Sequence, residues 1–474
     1  MSLCEAGEFQ VYYALNKYMS IFLYDSKSEE DFNNNINKIV DEVTIKRLEL
    51  LEPTGQERKA VNEVIKKYIS DNKRKIYGGY AFNTLIKEKN PKDAFYREFD
   101  TPDIEFYSPE PLQDLVNICN ILHAQNFKLV AGKEAQHVET YTVFVNYEKY
   151  CDITYVPKLI YNRIPVREID NLLITDPSFL MIDILRAYTD PITSYWRVSK
   201  TFKRALLLQK HYPIRKIDKP NPFPEKIYSE NIEALTIIYE FLKDRKTTIV
   251  FGNTGYQTLM NEGKFPKLND IPYFEFISTN YKDDCTELIK LLKMKLGDAI
   301  TYVEYYPFFQ FYGHNVIISY NGKPVAYIYH HNNKCTPYQD IDINKSFIRI
   351  GSFPFILNLL YILFHKARVE QNKELEKIRM YMISSLVEKR NDYLKKNKKT
   401  ILDNTIFREF QVDCIGKTVD PPRLFRENIA RKKEQHKPYL YSYDPNQTNN
   451  PDPNNFKFAN TSGNEINKEK NRKL

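Results

Sequence analysis

The spacing of apolar positions divides the chain into stretches of different period. Near the start, VYYALNKYMSIFLY (11–24) and AVNEVIKKYI (60–69) carry apolar residues at helical spacing, so the first 70 residues read as helices. The pattern then changes. KIYGGYAFNTLI (75–86) reads as a strand, a glycine turn and a helix start, and DIEFYS (103–108) as a short alternating strand. LQDLVNICNILHAQ (112–125) is an amphipathic helix through Leu112, Leu115, Val116, Cys119 and Leu122. ETYTVFVNY (139–147) and YCDITYVP (150–157) follow as two strands joined by a short turn. The order strand–helix–strand–helix–strand–strand predicts a mixed α/β unit.

The same order returns about 170 residues later. TIVFGNTGYQTLM (248–260) matches KIYGGYAFNTLI, IPYFEFIS (271–278) matches TPDIEFYS (101–108), and NVIISYNGKPVAYIY (315–329) matches YTVFVNYEKYCDITY (141–155). A helix, CTELIKLLKMKL (285–296), lies between the last two blocks. Three blocks in one order argue for an internal duplication. Between the copies, Asp176 and Pro177 mark a helix start and Asp190-Pro191 an interruption. The next helix places Arg197, Lys200 and Arg204 on one face, with Phe202 and Leu206 opposite. After the second copy, 356–399 reads as a long helical stretch. The expected division is a helical N-terminal region (1–68), a first mixed-sheet domain (69–225), a second with C-terminal helices (226–435), and a disordered tail (436–474) rich in Asn, Pro and Lys that buries nothing.

Composition narrows the class. Of 474 residues, 42% are hydrophobic and 27% charged, which excludes a wholly disordered chain. The longest apolar run, FPFILNLLYILF (353–364), is too short to span a bilayer and reads as a buried helix. MSLCEAGEFQ has no apolar stretch of a secretory signal. The formal charge of +8 permits a polyanionic partner without demanding one. The six cysteines (4, 119, 151, 285, 335, 414) form no C-x-x-C pair, so reduced thiols are expected rather than a zinc ribbon or a disulfide framework.

Chemistry gathers in the first copy. Gly78-Gly79 sits at a strand-to-helix turn, where glycine lets backbone approach a phosphate and a helix N-terminus offers free N–H groups. Asp103 and Glu105 flank Ile104, so strand geometry puts both carboxylates on one face. Asp152 lies on a later strand; if the strands are neighbours, three carboxylates converge. Such a trio repels itself unless a divalent cation, Mg²⁺ or Mn²⁺, neutralises it. Two such ions about 3.5–4 Å apart clamp the attacking and leaving oxygens of phosphoryl transfer, activating a 3′-hydroxyl and holding a triphosphate. The second copy serves as a control: by direct alignment Asp103 becomes Tyr273, Asp152 becomes Ala326 and Gly79 becomes Asn253, and only Glu275 remains opposite Glu105. A fold that persists without the carboxylates does not need them for stability.

Other candidates divide between chemistry and structure. Arg197, Lys200, Lys203 and Arg204 either touch a triphosphate or RNA backbone or form a solvated helix face, and adjacency to the catalytic block keeps Lys200 and Arg204 as phosphate-binding candidates. His137 reads as structural, Asp100 as a turn cap, Phe179 and Tyr188 as core, and His330-His331 with Cys335 as a loop. Residues 366–400 hold eleven Lys/Arg against five Asp/Glu; with 423–437 they either track RNA phosphates or form lysine-rich solvated faces.

Gly-Gly, then D-h-E, then a later strand aspartate resembles the nucleotidyltransferase fold of the DNA polymerase β superfamily. YGGYAFN, TPDIEFYSPEPLQDL, VNYEKYCDITYVP, PSFLMIDILRAYTDP and WRVSKTFKR resemble the poly(A) polymerase catalytic subunits of large cytoplasmic DNA viruses, most of all the giant amoebal viruses, over roughly residues 70–435. The Gly79-to-Asp103 stretch is longer than usual in the superfamily, and Glu105 stands where Asp is commoner. The resemblance implies two tandem nucleotidyltransferase-type domains, the second degenerate. It implies template-independent addition of AMP from ATP to mRNA 3′ ends, with release of pyrophosphate. Asp103 would bridge two metals, Glu105 would ligate both or mainly the nucleotide metal, and Asp152 would complete the catalytic one. Gly78 and Gly79 would hold the triphosphate. A homodimer or a viral processivity partner, no membrane, and a place in the host cytoplasm, viral factory or virion follow from the same resemblance. The alternatives are another terminal RNA nucleotidyltransferase, such as a uridylyltransferase, and a non-catalytic RNA-binding scaffold.

Overall fold

The computed structural model describes residues 23–137, 139–220, 231–330, 334–416, 418, 420–434, 441–456, 458, 469 and 470. The chain forms two compact units, Met1–Ala60 and Val61–Leu474. The first unit contains α1 (Ser26–Leu50), in which no residue is buried. Asp25 caps it, accepting from the Ser28 N–H at 2.8 Å while the Ser28 hydroxyl accepts from the Asp25 N–H at 3.3 Å. The helix expected at 11–24 lies outside the described residues apart from Leu23 and Tyr24. Helix α2 (Gly55–Asp71) leads into the second unit, where Val61, Ile65 and Ile69 are fully buried at four-residue spacing.

The second unit is built on two mixed sheets. In the first, β1 (Lys75–Tyr77), β2 (Ile104–Ser108), β3 (Ala131–Glu134), β4 (Thr140–Val145), β5 (Glu148–Tyr155), β6 (Val166–Ile169) and β7 (Leu172–Thr175) lie in the order β3-β4-β5-β2-β1-β7-β6. In the second, β8 (Thr248–Phe251), β9 (Phe274–Ser278), β10 (Ile300–Tyr305), β11 (Asn315–Tyr320), β12 (Lys323–His330), β13 (Thr336–Ile343) and β14 (Ser346–Gly351) lie in the order β10-β11-β12-β9-β8-β14-β13. Strand for strand this is the same topology, with the same parallel pairs, β2 with β5 and β9 with β12. The hairpins β6–β7 and β13–β14 have no counterpart in the sequence reading. Helix α3 (Gly78–Lys89) follows β1 and α4 (Pro111–Ala124) follows β2; their equivalents are α10 (Gly252–Met260) and α11 (Tyr281–Leu296).

Duplication also explains a correction. Both copies carry a bulge in the β4–β5-type hairpin, between Val143 and Phe144 and between Ile318 and Ser319. Glu105 pairs with Asp152 across β2 and β5, and Glu275 pairs with Tyr327 across β9 and β12. The residue in the place of Asp152 is therefore Tyr327, not Ala326. A one-residue slip in a strand moves every side chain to the other face, so this changes what the second copy presents.

Two further expectations fail. The tail was expected to bury nothing, yet Tyr441 is fully buried and β15 (Ser442–Tyr443) pairs with β3. Phe458 stacks on Tyr155 at 4.2 Å, and Phe456 meets Tyr441 edge-on at 4.9 Å. Aromatic rings spaced through an otherwise polar segment supply enough apolar surface to dock it. All six cysteines were expected reduced, but Cys335 and Cys414 are disulfide-bonded; Cys119, Cys151 and Cys285 are free and buried.

Helix α6 (Pro177–Tyr188) follows the short α5 (Lys158–Arg163), and its N-cap Asp176 accepts from the Ser178 N–H. After α7 (Pro191–Ser194) and a single 3₁₀ turn (Tyr195–Arg197) comes α8 (Val198–His211). Helix α9 (Ile232–Leu242) precedes the second sheet. The stretch 356–399 is two helices, α12 (Phe353–Val369) and α13 (Lys373–Lys396), broken where Gln371 takes a φ of 59°. Helix α12 is buried along nearly its whole length, and its His365 packs edge-on against Phe179 of α6 at 4.9 Å. Helix α14 (Pro421–Glu434) completes the helical set.

Candidate active site

The site is set by four neighbouring strands of the first sheet, β4, β5, β2 and β1. Glu105 faces Asp152 across the parallel β2–β5 pair, Tyr77 faces Glu105 across β1–β2, and Thr142 on β4 faces Asp152. Asp103 immediately precedes β2, two residues from Glu105 and on its face. Gly78 opens α3 with a φ of +69°, and a Cβ there would lie 1.7 Å from Glu105 Oε2. Only glycine fits that approach. The N–H of Gly79 donates to Glu105 Oε2 at 2.9 Å.

Electrostatics splits the trio in two. The Lys149 ammonium lies 2.8 Å from Asp103 Oδ2 and 2.7 Å from Asp152 Oδ2, and the Thr142 hydroxyl donates to Asp152 Oδ1 at 2.6 Å. Burial opposes the charge on Lys149, but the two aspartates outweigh it and raise its pKa. Glu105 turns instead to the α3 backbone. Burial pushes its carboxyl up to about 7; the Gly79 N–H pulls the other way, and Asp103, Asp152 and Asp183 add to the rise. Among the described residues no three His, Cys, Asp or Glu side chains form a ready-made cation site. The donor chemistry nonetheless fits a divalent cation, since the two aspartates already hold one positive group between them.

The phosphate candidates lie beside this cluster. A Cβ on Gly79 would meet the Tyr96 hydroxyl at 2.5 Å and Arg204 Nη2 at 3.3 Å, so Arg204 on α8 overhangs the Gly-Gly turn. Its guanidinium also lies over the Phe95 ring at 4.9 Å. Lys200, one turn earlier on the same face, is exposed, as are Arg197 and Lys203. Leu206, expected on the apolar face of α8, is 57% exposed. Asp100 closes a turn by accepting from the Arg97 N–H, while Phe179 and Tyr188 are core residues. The sequence reading passed over Lys149, Thr142 and Asp183. A lone acid inside the apolar run FLMIDIL was the available signal for Asp183; Lys149 carries none.

The second copy keeps the frame and loses the donors. Gly252 has a φ of +59° with its Cβ position 1.9 Å from Glu275 Oε2, and the Asn253 N–H donates to that oxygen at 3.0 Å. Tyr273 and Tyr327 stand in the places of the aspartates, their rings 5.0 Å apart. Arg379 of α13 reaches in, with Nη2 3.3 Å from Glu275 Oε1.

Comparison with known proteins agrees with this geometry. A family model described as poly(A) polymerase catalytic subunit matches residues 63–194, and one described as the C-terminal part of a mimivirus-type putative poly(A) polymerase catalytic subunit matches 207–474. The chain is 36% identical to a putative poly(A) polymerase catalytic subunit of Acanthamoeba polyphaga mimivirus, over 97% of this chain and 84% of that protein. It belongs to the poly(A) polymerase catalytic subunit family. A putative catalytic subunit of African swine fever virus is 25% identical over 54% of this chain and 58% of its own length. Among solved structures, the Megavirus polyadenylate synthase superposes with a TM-score of 0.87 at 34% identity, covering 96% of this chain and 94% of that one. Both sheets thus belong to the family architecture. Among the described residues no helix is long and apolar enough to cross a membrane.

Proposed function

We propose that this chain is a template-independent poly(A) polymerase that adds AMP from ATP to mRNA 3′ ends and releases pyrophosphate. The observation that carries the reading is the Asp103–Asp152 pair, held by adjacent strands beside a Gly-Gly helix start and gathered around one positive charge. Asp103, Asp152 and Glu105 would hold two Mg²⁺ or Mn²⁺ ions. These ions supply Lewis acidity toward the 3′-hydroxyl and neutralise the departing pyrophosphate.

The protein's own groups do the rest. Thr142 fixes the Asp152 carboxylate through its hydrogen bond, and strand pairing fixes the spacing of Asp152 from Glu105. The N-terminus of α3 at Gly78 and Gly79, whose Gly79 N–H rests on Glu105 before substrate binds, receives the triphosphate together with Arg204 and Lys200. The 3′-oxygen attacks the α-phosphorus as the bond to the bridging oxygen of pyrophosphate breaks.

The same reading assigns residues 69–225 to the catalytic domain and 226–435 to a degenerate partner. It assigns a homodimer or a viral processivity partner to the working assembly, and the host cytoplasm, viral factory or virion to its location. Its support is the family membership of the whole chain. The test is to incubate an RNA primer with the protein, Mg²⁺ or Mn²⁺, and each NTP singly. Extension with ATP alone supports the proposal, extension with UTP makes the protein a uridylyltransferase, and no extension with any NTP leaves an RNA-binding scaffold.

A further inference from the structure

The only tryptophan of the chain is on the surface. Trp196 is 64% exposed and its neighbour Tyr195 is 72% exposed, with Ile192 at 52% on the preceding turn. Large aromatic side chains contribute most when buried, so two in succession facing water need a reason. Their setting supplies one. They occupy the 3₁₀ turn that feeds α8, the helix whose Arg204 overhangs Gly79. Trp196 precedes Arg204 by eight residues, about 12 Å of helical rise at ~1.5 Å per residue. At ~3.4 Å per stacked nucleotide, that is the length of roughly three or four nucleotides.

The charge around the rings is positive. The Arg197 guanidinium lies over the Trp196 ring at 4.5 Å, and Lys200 and Lys203 are exposed on the following turn. Burial and then Arg197 draw the His137 pKa down, while Asp152 pushes it up, so His137 feels both groups. An exposed pair of aromatic rings within a basic strip, beginning at the phosphate-binding turn, has the chemistry of a single-stranded nucleic acid track.

We propose that Trp196 and Tyr195 form a stacking platform for bases of the single-stranded RNA a few nucleotides upstream of the reacting 3′ end, with Arg197 covering one face of the indole. The inference rests on the polymerase reading and adds to it a subsite for the primer. Stacking on a ring tolerates any base, which suits a track that must accept both the primer's own sequence and the growing oligo(A).

A single tryptophan makes the test specific. Full-length protein is titrated with oligo(A) while its tryptophan emission is followed, and affinity is measured independently by the anisotropy of end-labelled oligo(A). The emission is expected to be quenched in step with the anisotropy change. Trp196→Ala is expected to weaken oligo(A) binding roughly five- to a hundred-fold, and Trp196→Phe to recover most of it. Neither variant should change the thermal midpoint, since the side chain packs against little, and neither should change the slope of log affinity against log salt, since stacking releases no counterions. Saturation with oligo(A) without quenching, or unchanged affinity in Trp196→Ala, overturns the platform while leaving ATP-dependent extension intact. A change in oligomeric state in Trp196→Ala, with RNA affinity unchanged, would assign the patch to a protein contact and also overturn it. Wild-type protein that extends no primer would overturn the polymerase reading and the platform together.

Discussion

Arg379 and Glu275 form a buried ion pair, with the guanidinium Nη2 3.3 Å from the carboxylate Oε1 and both side chains almost wholly out of solvent. Burial opposes the charge on Arg379, but Glu275 and the Tyr273, Tyr329 and Tyr327 hydroxyls outweigh it and raise its pKa. The pair stands where the first copy has Glu105 beside the two aspartates. The remaining carboxylate of the second copy is thus neutralised by a cation of the protein's own, Arg379. Arg379→Ala leaves the buried Glu275 carboxylate without its counter-charge and should destabilise the fold by about 3–5 kcal/mol. Urea denaturation measures this. The double variant Glu275→Gln/Arg379→Met should recover most of the loss. Folded Glu275→Ala should extend primers at the wild-type rate, because the pair takes no part in the chemistry.

The two glycines of the first copy should behave differently. Gly78→Ala forces an L-residue into positive φ and drives its methyl into Glu105, a strain of about 1–3 kcal/mol, with loss of most extension activity. Gly79→Ala meets only the ends of the Tyr96 and Arg204 side chains, and its counterpart Asn253 already carries a Cβ. Stability should change by less than about 1 kcal/mol. The displaced Arg204 should raise the KM for ATP more than it lowers kcat. Melting curves and steady-state kinetics on the two variants make the comparison.

These glycines show what the sequence could reveal. Gly78, Glu105 and Asp152 stood out because period-two strands and a Gly-Gly turn leave local marks, and the strand pairing then brought them together. The repeat was visible for the same reason. Three features were not. The two hairpins correspond at an offset one residue longer than direct matching of their sequences gives, and only their pairing with β2 and β9 shows it, which hid Tyr327 behind Ala326. Arg379 lies among the basic residues of a helix read as either a phosphate track or a solvated face, and only the tertiary fold turns it inward. Tyr441 and Phe458 dock through rings scattered in an Asn- and Pro-rich segment, where average composition outweighs individual side chains.

His365 gives the fold a pH dependence of definite sign. It is buried between α6 and α12, and burial, followed by the nearby Arg368 charge, pushes its pKa down to about 3. The native state therefore holds it neutral, while the unfolded chain protonates it near pH 6.5. Its contribution to stability is complete above pH 6.5 and is lost as pH falls toward 3. Between pH 7 and 5 the loss should be about 2 kcal/mol. His365→Leu should remove that part of the pH dependence, as read from denaturation midpoints at the two pH values.

The basic helix α13 is less free than its composition implies. Arg379 is inside, and Lys389 and Arg390 are ion-paired with Glu262 and Glu409. Lys395, Lys396, Lys398 and Lys399 are exposed at its end. If these four track RNA, each contact should contribute about −0.7 to the log–log salt slope for a single strand. Replacing all four with Gln should flatten the slope of oligo(A) binding by up to about 3 and shorten tails at moderate salt. An unchanged slope would assign them to a solvated face.

The central claim is that Asp103 and Asp152 carry adenylate transfer, and primer extension by Asp152→Ala tests it most directly. Wild-type protein, an RNA primer, Mg²⁺ or Mn²⁺ and ATP should give poly(A) tails. Asp152→Ala, with circular dichroism and melting like the wild type, should lose several orders of magnitude in rate, because charge stabilisation by the held cations supplies most of the catalysis. Asp103→Ala should behave alike. Tails made by Asp152→Ala at the wild-type rate would contradict the account.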